Sequence, residues 1–264
     1  MSTHKKPAKF DFMQITFVDT ETSWQRFLPL TYTRPVSDLR IGILKIHEKW
    51  AHALHVDHVF FKTKDYLSTH YAAPSAKMLW LYGGLLPSPG VLEVITSLKE
   101  NEALVHDGTL LAGYFEPEEE FMIEGRSVVQ LQSAVLANYP WDIFRLNGQE
   151  IGQDFTLLTK GRTSKPVRDI HTRIYGDQLF LEEGVTLRAA VLNAENGPIY
   201  LGKGAEVQEG AVIKGPFALC EQGVVNMGAK IRGDTTIGPY SKVGEEVSNS
   251  VIQGYANKGH DGFL

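Results

Sequence analysis

The chain has 264 residues, 43% of them hydrophobic, enough to bury one large core or two modest ones. Its formal net charge of -5, with acids and bases interspersed, offers no basic footprint, so nucleic acid is not an expected partner. The single cysteine, Cys220, cannot form an internal disulfide and has no CxxC or metal-ligand neighbours, which fits a reducing compartment.

The opening MSTHKKPAKFDFM is basic but is not followed by a sustained apolar segment, so residues 1–12 read as a loose tail rather than a secretory signal. MQITFV (Met13 to Val18) is rich in strand formers. IGILKIHEKWAHAL (Ile41 to Leu54) places Ile43, Ile46, Trp50 and Leu54 near one helical face, and DHVFFKT (Asp57 to Thr63) reads as the next strand. KMLWLYGG follows as a strand ended by glycines, and PGVLEVITSLKENE (Pro89 to Glu102) as a helix with proline near its start. The run MLWLYGGLLP is half the length needed to cross a bilayer and is broken by two glycines, so a soluble cytoplasmic protein with no membrane partner is expected. ALVHDGTLLAGYF is a predicted hairpin turning at Asp107 and Gly108. This alternation of strand and helix predicts an α/β layer with a largely parallel sheet.

After the polar stretch TKGRTSKP (Thr159 to Pro166) the rhythm changes, and from about Ile174 no helical pattern is visible. Aliphatic residues recur at every sixth position: Leu201, Val207, Ile213, Leu219, Val225, Ile231, Ile237 and Val243. Four places after each come Ala205, Ala211, Phe217, Gly223, Ala229, Thr235, Ser241 and Val247, mostly small. A period of six matches neither one helix nor one strand; it fits a chain that makes a short strand, turns a corner and repeats. Each aliphatic then points into a prism whose coils stack by parallel backbone ladders, with the small residues at the corners. Earlier coils begin near Phe180 to Leu192, and NAENGP resets the frame. The expected boundaries are 1–12 for the tail, 13–158 for the α/β domain, 159–173 for a linker and 174–264 for the coil.

The hexads resemble the left-handed parallel β-helix of hexapeptide-repeat acyltransferases, and the left hand is an implication of that resemblance. RFLPLTYTRPVSDLRIGILKI (Arg26 to Ile46) is similar to the loop of sugar-1-phosphate nucleotidyltransferases, where Arg-x-x-Pro-Leu-Thr is followed by Pro-Lys-x-Leu; Arg26, Pro29, Leu30, Thr31, Pro35 and Leu39 keep their places. The two together resemble the bifunctional N-acetylglucosamine-1-phosphate uridyltransferase and glucosamine-1-phosphate acetyltransferase family. WDIFRLNG, GPFALCE and YANKGHDGFL look like a bacterial group described as sugar nucleotidyltransferases.

The fold implied is a Rossmann-like nucleotidyltransferase-like α/β domain followed by an all-β left-handed parallel β-helix. The implied partners are a sugar phosphate and a nucleoside triphosphate, with Mg2+ for nucleotidyl transfer, acyl-CoA as co-substrate of the second domain, and a homotrimer formed through the β-helix. Arg26 is then a catalytic residue, and Arg26, Thr31 and Arg34 are the phosphate-binding set. His260 sits where the family's acyltransferase half has a general base, and a neutral imidazole suits proton removal from an attacking amine. Arg232, Lys258 and Phe263 are the sugar-phosphate set, with Phe263 in the slot of a family tyrosine. No confident pair of metal-binding aspartates is visible.

The chain departs from the family at FVDTETSWQR, which has no glycine to free backbone amides and carries two acids, Asp19 and Glu21, that repel phosphate. Val36 stands in the place of the family lysine, with Arg34 and Arg40 as the substitutes at hand. The chain also stops directly after the histidine loop without a polar cap, so a β-helix truncated at its C-terminal end, from a longer protein, is expected. Two functions follow: an enzyme of sugar-nucleotide biosynthesis feeding amino-sugar, cell-envelope precursors, favoured by the Arg26 to Leu39 frame and the His260 loop; or a non-catalytic sugar-nucleotide-binding or trimeric scaffold protein with a degenerate domain, favoured by the glycine-free loop.

Overall fold

The computed structural model describes residues 14–259. The described residues divide into two compact units, residues 14–37 with 47–136, and residues 38–46 with 137–259.

The first unit is an α/β sheet. Its elements are β1 (Ile15–Val18), α1 (Glu21–Arg26), α2 (Ile46–Leu54), β2 (Val59–Lys62), β3 (Met78–Tyr82), α3 (Pro89–Ser97), β4 (Glu102–His106), β5 (Thr109–Phe115) and β6 (Ser127–Gln130). The strands lie in the order β2-β1-β3-β5-β4-β6. β1 pairs in parallel with β2 and β3, and β4 with β6, while β5 runs antiparallel to both β3 and β4. The predicted hairpin is therefore present and turns at Asp107, whose φ is 46°, and Gly108. β1 and β3 are buried along their whole length, as central strands covered on both faces must be.

Two predicted helices are shorter than their apolar patterns. The helix expected from Ile41 begins at Ile46, because Gly42 takes a left-handed φ of 85° and the amides of Ile43 and Leu44 are drawn to the carboxylate of Asp154. The helix expected to reach Glu102 stops at Ser97, and Glu102 opens β4.

The second unit is a parallel β-solenoid with one long helix. Three five-stranded sheets, all parallel, form the three sides, so the solenoid has about five turns, consistent with a left-handed β-helix. The hexads fall into vertical stacks, since three sixes make one coil. Leu187, Val207, Val225 and Val243 line one side, Leu192, Ile213 and Ile231 a second, and Leu201, Leu219 and Ile237 the third. All belong to one core, and every predicted hexad position from Leu201 to Val243 is 0–1% exposed.

Three of the positions read as corners stand in strands: Phe217 and Thr235, which pair with each other, and Val247. Val247, read as a corner residue, pairs with Ile231 and joins the inward stack. The reason is a short corner: Gly244 and Glu245, the latter at φ 59°, turn the chain in two residues where the preceding coil uses four, Asn226 to Ala229.

Helix α4 (Pro140–Thr159) has no counterpart in the sequence reading, and with it the division of the chain differs from the boundaries expected at 158 and 174. It starts on a capping box in which Asp142 accepts from the amides of Asn138 and Tyr139, with Pro140 at its first turn. Its buried face is Ile143, Asn147, Glu150, Ile151 and Asp154, at helical spacing but mostly polar. Asn147 and Asp154 serve the strap 38–46. Asn147 accepts from the Gly42 amide at 2.7 Å and donates to the Asp234 carbonyl at 2.9 Å, and Asp154 accepts from Ile43 and Leu44 at 2.8 and 2.9 Å. Arg40 and Gln253 exchange bonds between backbone and side-chain amide, at 2.8 and 3.2 Å. Ile43, Ile151 and Ala218 close a small apolar cluster between strap, helix and solenoid face.

The stretch expected as a linker lies on the first coil: the Lys165 amide donates to the Leu181 carbonyl, the Leu181 amide donates to Ser164 Oγ, and Val167 packs on the solenoid core. A cleft of about 540 Å³ opens there, lined by residues 165–169 and 181–187. It holds none of the predicted site residues.

Candidate functional site

In an open α/β sheet a ligand crevice forms at the carboxyl ends of the strands, where neighbouring strands send their connections in opposite directions. Here that point is between β1 and β3. The chain leaves β1 for β2 on one side and returns across β1 to β3, from which it continues to the other side. The residues that follow these strands are Asp19, Thr63 and Gly83.

They meet at Asp19. Its carboxylate accepts from the Val36 amide at 3.1 Å and from Thr63 Oγ1 at 2.6 Å. Gly83 leaves the room: a Cβ there would stand 2.9 Å from Asp19 Oδ1 and 3.1 Å from the Val18 carbonyl. Loss of water around the carboxyl pushes its pKa up from 3.8 to about 6, against the lowering pull of Thr63, the Val36 amide and the Lys64 charge. A burial effect larger than two good donors marks a carboxyl held where water is scarce.

Around this point the loop after β1 is rigidly built. Thr20 caps α1 by accepting from the Ser23 amide. Trp24 Nε1 donates to the Thr31 carbonyl at 3.0 Å, and Thr31 Oγ1 returns a bond to the Trp24 carbonyl at 2.7 Å. Lys64 pairs with Glu21 and lies 4.4 Å from the centre of the Trp24 ring. Tyr66 donates to the Tyr32 carbonyl at 2.9 Å, and both tyrosines stay more than half exposed.

The predicted phosphate set is placed unevenly. Arg26 is exposed in the last turn of α1, and Arg34 is half-buried in the stretch between Thr31 and Val36. Thr31 is 0% exposed and its hydroxyl is committed to the Trp24 carbonyl, so it braces the loop instead of reaching a phosphate. Asp19, read from sequence as a phosphate-repelling acid, is turned onto the protein's own donors, while Glu21 is neutralised by Lys64. Thr63, Lys64 and Gly83 were missed. The glycine pair ending the strand at Tyr82 was the available signal for Gly83; nothing local marks Thr63 and Lys64, which reach Asp19 only because β2 lies beside β1.

In the solenoid, Arg232 pairs through Nε with Glu246 at 2.9 Å on the adjacent coil, both side chains being exposed. Lys258 stands in register with Val243, at the inward position, and its ammonium lies 3.5 Å from the Gly244 carbonyl. His260 and Phe263 lie outside the described residues. Among the described residues no group of three or more His, Cys, Asp or Glu could hold a metal ion, and no helix is long and apolar enough to cross a membrane.

Residues 15–163, more than half of the chain, match a protein-family model described as sugar nucleotidyl transferase. No curated protein matches the chain.

Proposed function

The chain belongs to the sugar nucleotidyl transferase family, and from that premise we propose that the crevice at β1 and β3 binds a nucleoside triphosphate and a sugar 1-phosphate and joins them. A phosphate oxygen of the sugar attacks the α-phosphorus, the bond to the β-phosphate breaks, and pyrophosphate leaves. The attacking oxygen is already ionised near neutral pH, so the reaction needs cations and donors to offset charge rather than a general base. Arg26 and Arg34 are the proposed cations.

Magnesium, implied by the resemblance, fits these residues poorly. Asp19 is engaged by Val36 and Thr63 and Glu21 by Lys64, so neither acid of the stretch after β1 is open to an ion.

The observation that supports this reading is the coincidence of the family match with a switch point whose three loops converge on one residue. The test is pyrophosphate release from the protein supplied with magnesium, each nucleoside triphosphate and a panel of sugar 1-phosphates. Release that falls about tenfold or more in Arg26→Ala supports it. No release above that variant, with measurable sugar-nucleotide binding, favours a binding protein.

That second reading has an observation of its own. Residues 19–37 hold no glycine and no left-handed backbone, so the amide cradle typical of phosphate loops is absent from this stretch. The solenoid carries a further proposal, acyl transfer to an amino sugar with His260 as base, Arg232, Lys258 and Phe263 on the sugar phosphate, and acyl-CoA as donor. It includes a homotrimer and a cytoplasmic role in amino-sugar precursor synthesis. A His260→Ala variant that keeps the full acyl transfer of wild type would remove the base assignment.

A further inference from the structure

The stretch after β1 carries a carboxyl group, Asp19, and no glycine. We propose that Asp19 is the positioning residue of this crevice: it gathers the loops that follow β1, β2 and β3, and in its neutral form it admits the phosphate chain that its ionised form holds off. This rests on the reading that the crevice takes a nucleoside triphosphate, and it adds a control of that binding by protons.

Three observations carry it. The bonds from Val36, seventeen positions away, and Thr63, forty-four away, meet on the one side chain, so the course of the loop that carries Arg34 depends on Asp19. The third loop contributes a residue without a side chain, Gly83, where any Cβ would press on the Asp19 oxygen. The charge is poorly compensated: Lys64 is the cation whose field reaches Asp19 from the end of β2, and it is shared with Glu21 of α1. Neither Val36 nor Gly83 brings a charge of its own.

The proton balance is simple. Ionised, Asp19 accepts from both Val36 and Thr63. Protonated, its carbonyl oxygen still accepts from Val36, while its hydroxyl can donate to Thr63 Oγ1 across the same 2.6 Å. The loops therefore stay gathered when the charge is lost, and repulsion toward a polyphosphate falls. A carboxyl that titrates near 6 makes that change within a physiological range.

The test measures binding of each nucleoside triphosphate by calorimetry to wild type, Asp19→Asn, Asp19→Ala and Thr63→Val between about pH 5 and about pH 8. Asparagine keeps the shape and the acceptor for Val36 without the charge. Asp19→Asn is expected to bind roughly tenfold or more tighter than wild type at the alkaline end, with the wild-type-to-variant ratio converging toward the acid end. Titration of the nucleotide itself cancels in that ratio. Asp19→Ala, which loses the gathering bonds, is expected to bind weakly throughout. Thr63→Val removes a donor that favours the ionised form, so the midpoint of the ratio moves upward. Equal or weaker binding by Asp19→Asn at the alkaline end, or a ratio that does not change with pH, overturns the inference and leaves nucleotide binding standing. Failure of wild type to bind any nucleoside triphosphate overturns both.

Discussion

Asn147→Ala isolates the strap that ties residues 38–46 to α4 and the solenoid. Asn147 is 0% exposed and makes three contacts: it accepts from the Gly42 amide at 2.7 Å and from Thr236 Oγ1 at 3.1 Å, and donates to the Asp234 carbonyl at 2.9 Å. The threonine hydroxyl has an alternative acceptor in the Gly42 carbonyl at 3.0 Å, so its loss is small. The Gly42 amide is left without this partner in a buried place and the Asp234 carbonyl in a partly buried one, and at about 1–3 kcal/mol for each orphaned group the cost is about 2–6 kcal/mol. Chemical denaturation followed by far-UV circular dichroism reads the loss, and hydrogen exchange of residues 38–46 shows where it falls. Asn147→Asp, which restores the acceptor but turns a carboxylate oxygen toward the Asp234 carbonyl, is expected to recover little. A cost under about 1 kcal/mol, with exchange of the strap unchanged, would refute the reasoning, because it would mean that water replaces the side chain freely.

Ile213→Ala, in the stack between Leu192 and Ile231, is expected to destabilise the solenoid by about 3–4 kcal/mol in the same denaturation assay, since closed coils cannot collapse onto the cavity. A cost near that of a surface substitution would show that the prism is not packed. For Asp19, the folded pKa of about 6 lies above the ordinary 3.8, so its stabilising contribution is full below the lower value and is lost as pH rises through the higher one. Wild-type stability of the α/β unit is expected to fall by up to about 3 kcal/mol across that window, and Asp19→Asn to remove the slope. Denaturation midpoints that rise over the same window would show that the donors outweigh the desolvation.

The two architectures were legible for different reasons. Strand β1 and strand β3 announce themselves by local runs of Ile, Thr, Phe, Trp and Leu, and the α/β alternation follows from them. Helix α4 was invisible because the face it buries is Asn147, Glu150 and Asp154 beside two isoleucines, with Gly148 and Gly152 in the middle, so no apolar stripe stands out. Gly148 has a reason that only the fold supplies: a Cβ there would meet the Asp234 side chain. The predicted site was legible in part. Arg26 closes α1 and Arg34 lies in the stretch that follows it, Thr31 is a brace, and the acid that looked hostile to phosphate is the residue on which the loops converge.

What the amino-acid order alone determined is the solenoid core: a side chain every sixth place is buried because three such steps close one coil, and that rule needs no information from elsewhere in the chain. What only the tertiary structure decided is the polar chemistry. Asp19 finds its donors at Val36 and Thr63, and Asn147 its partners at Gly42 and Asp234. A hydrogen bond is directional and short, so its partner is set by where the fold brings two segments together, whereas apolar burial is set by periodicity that neighbouring residues already carry.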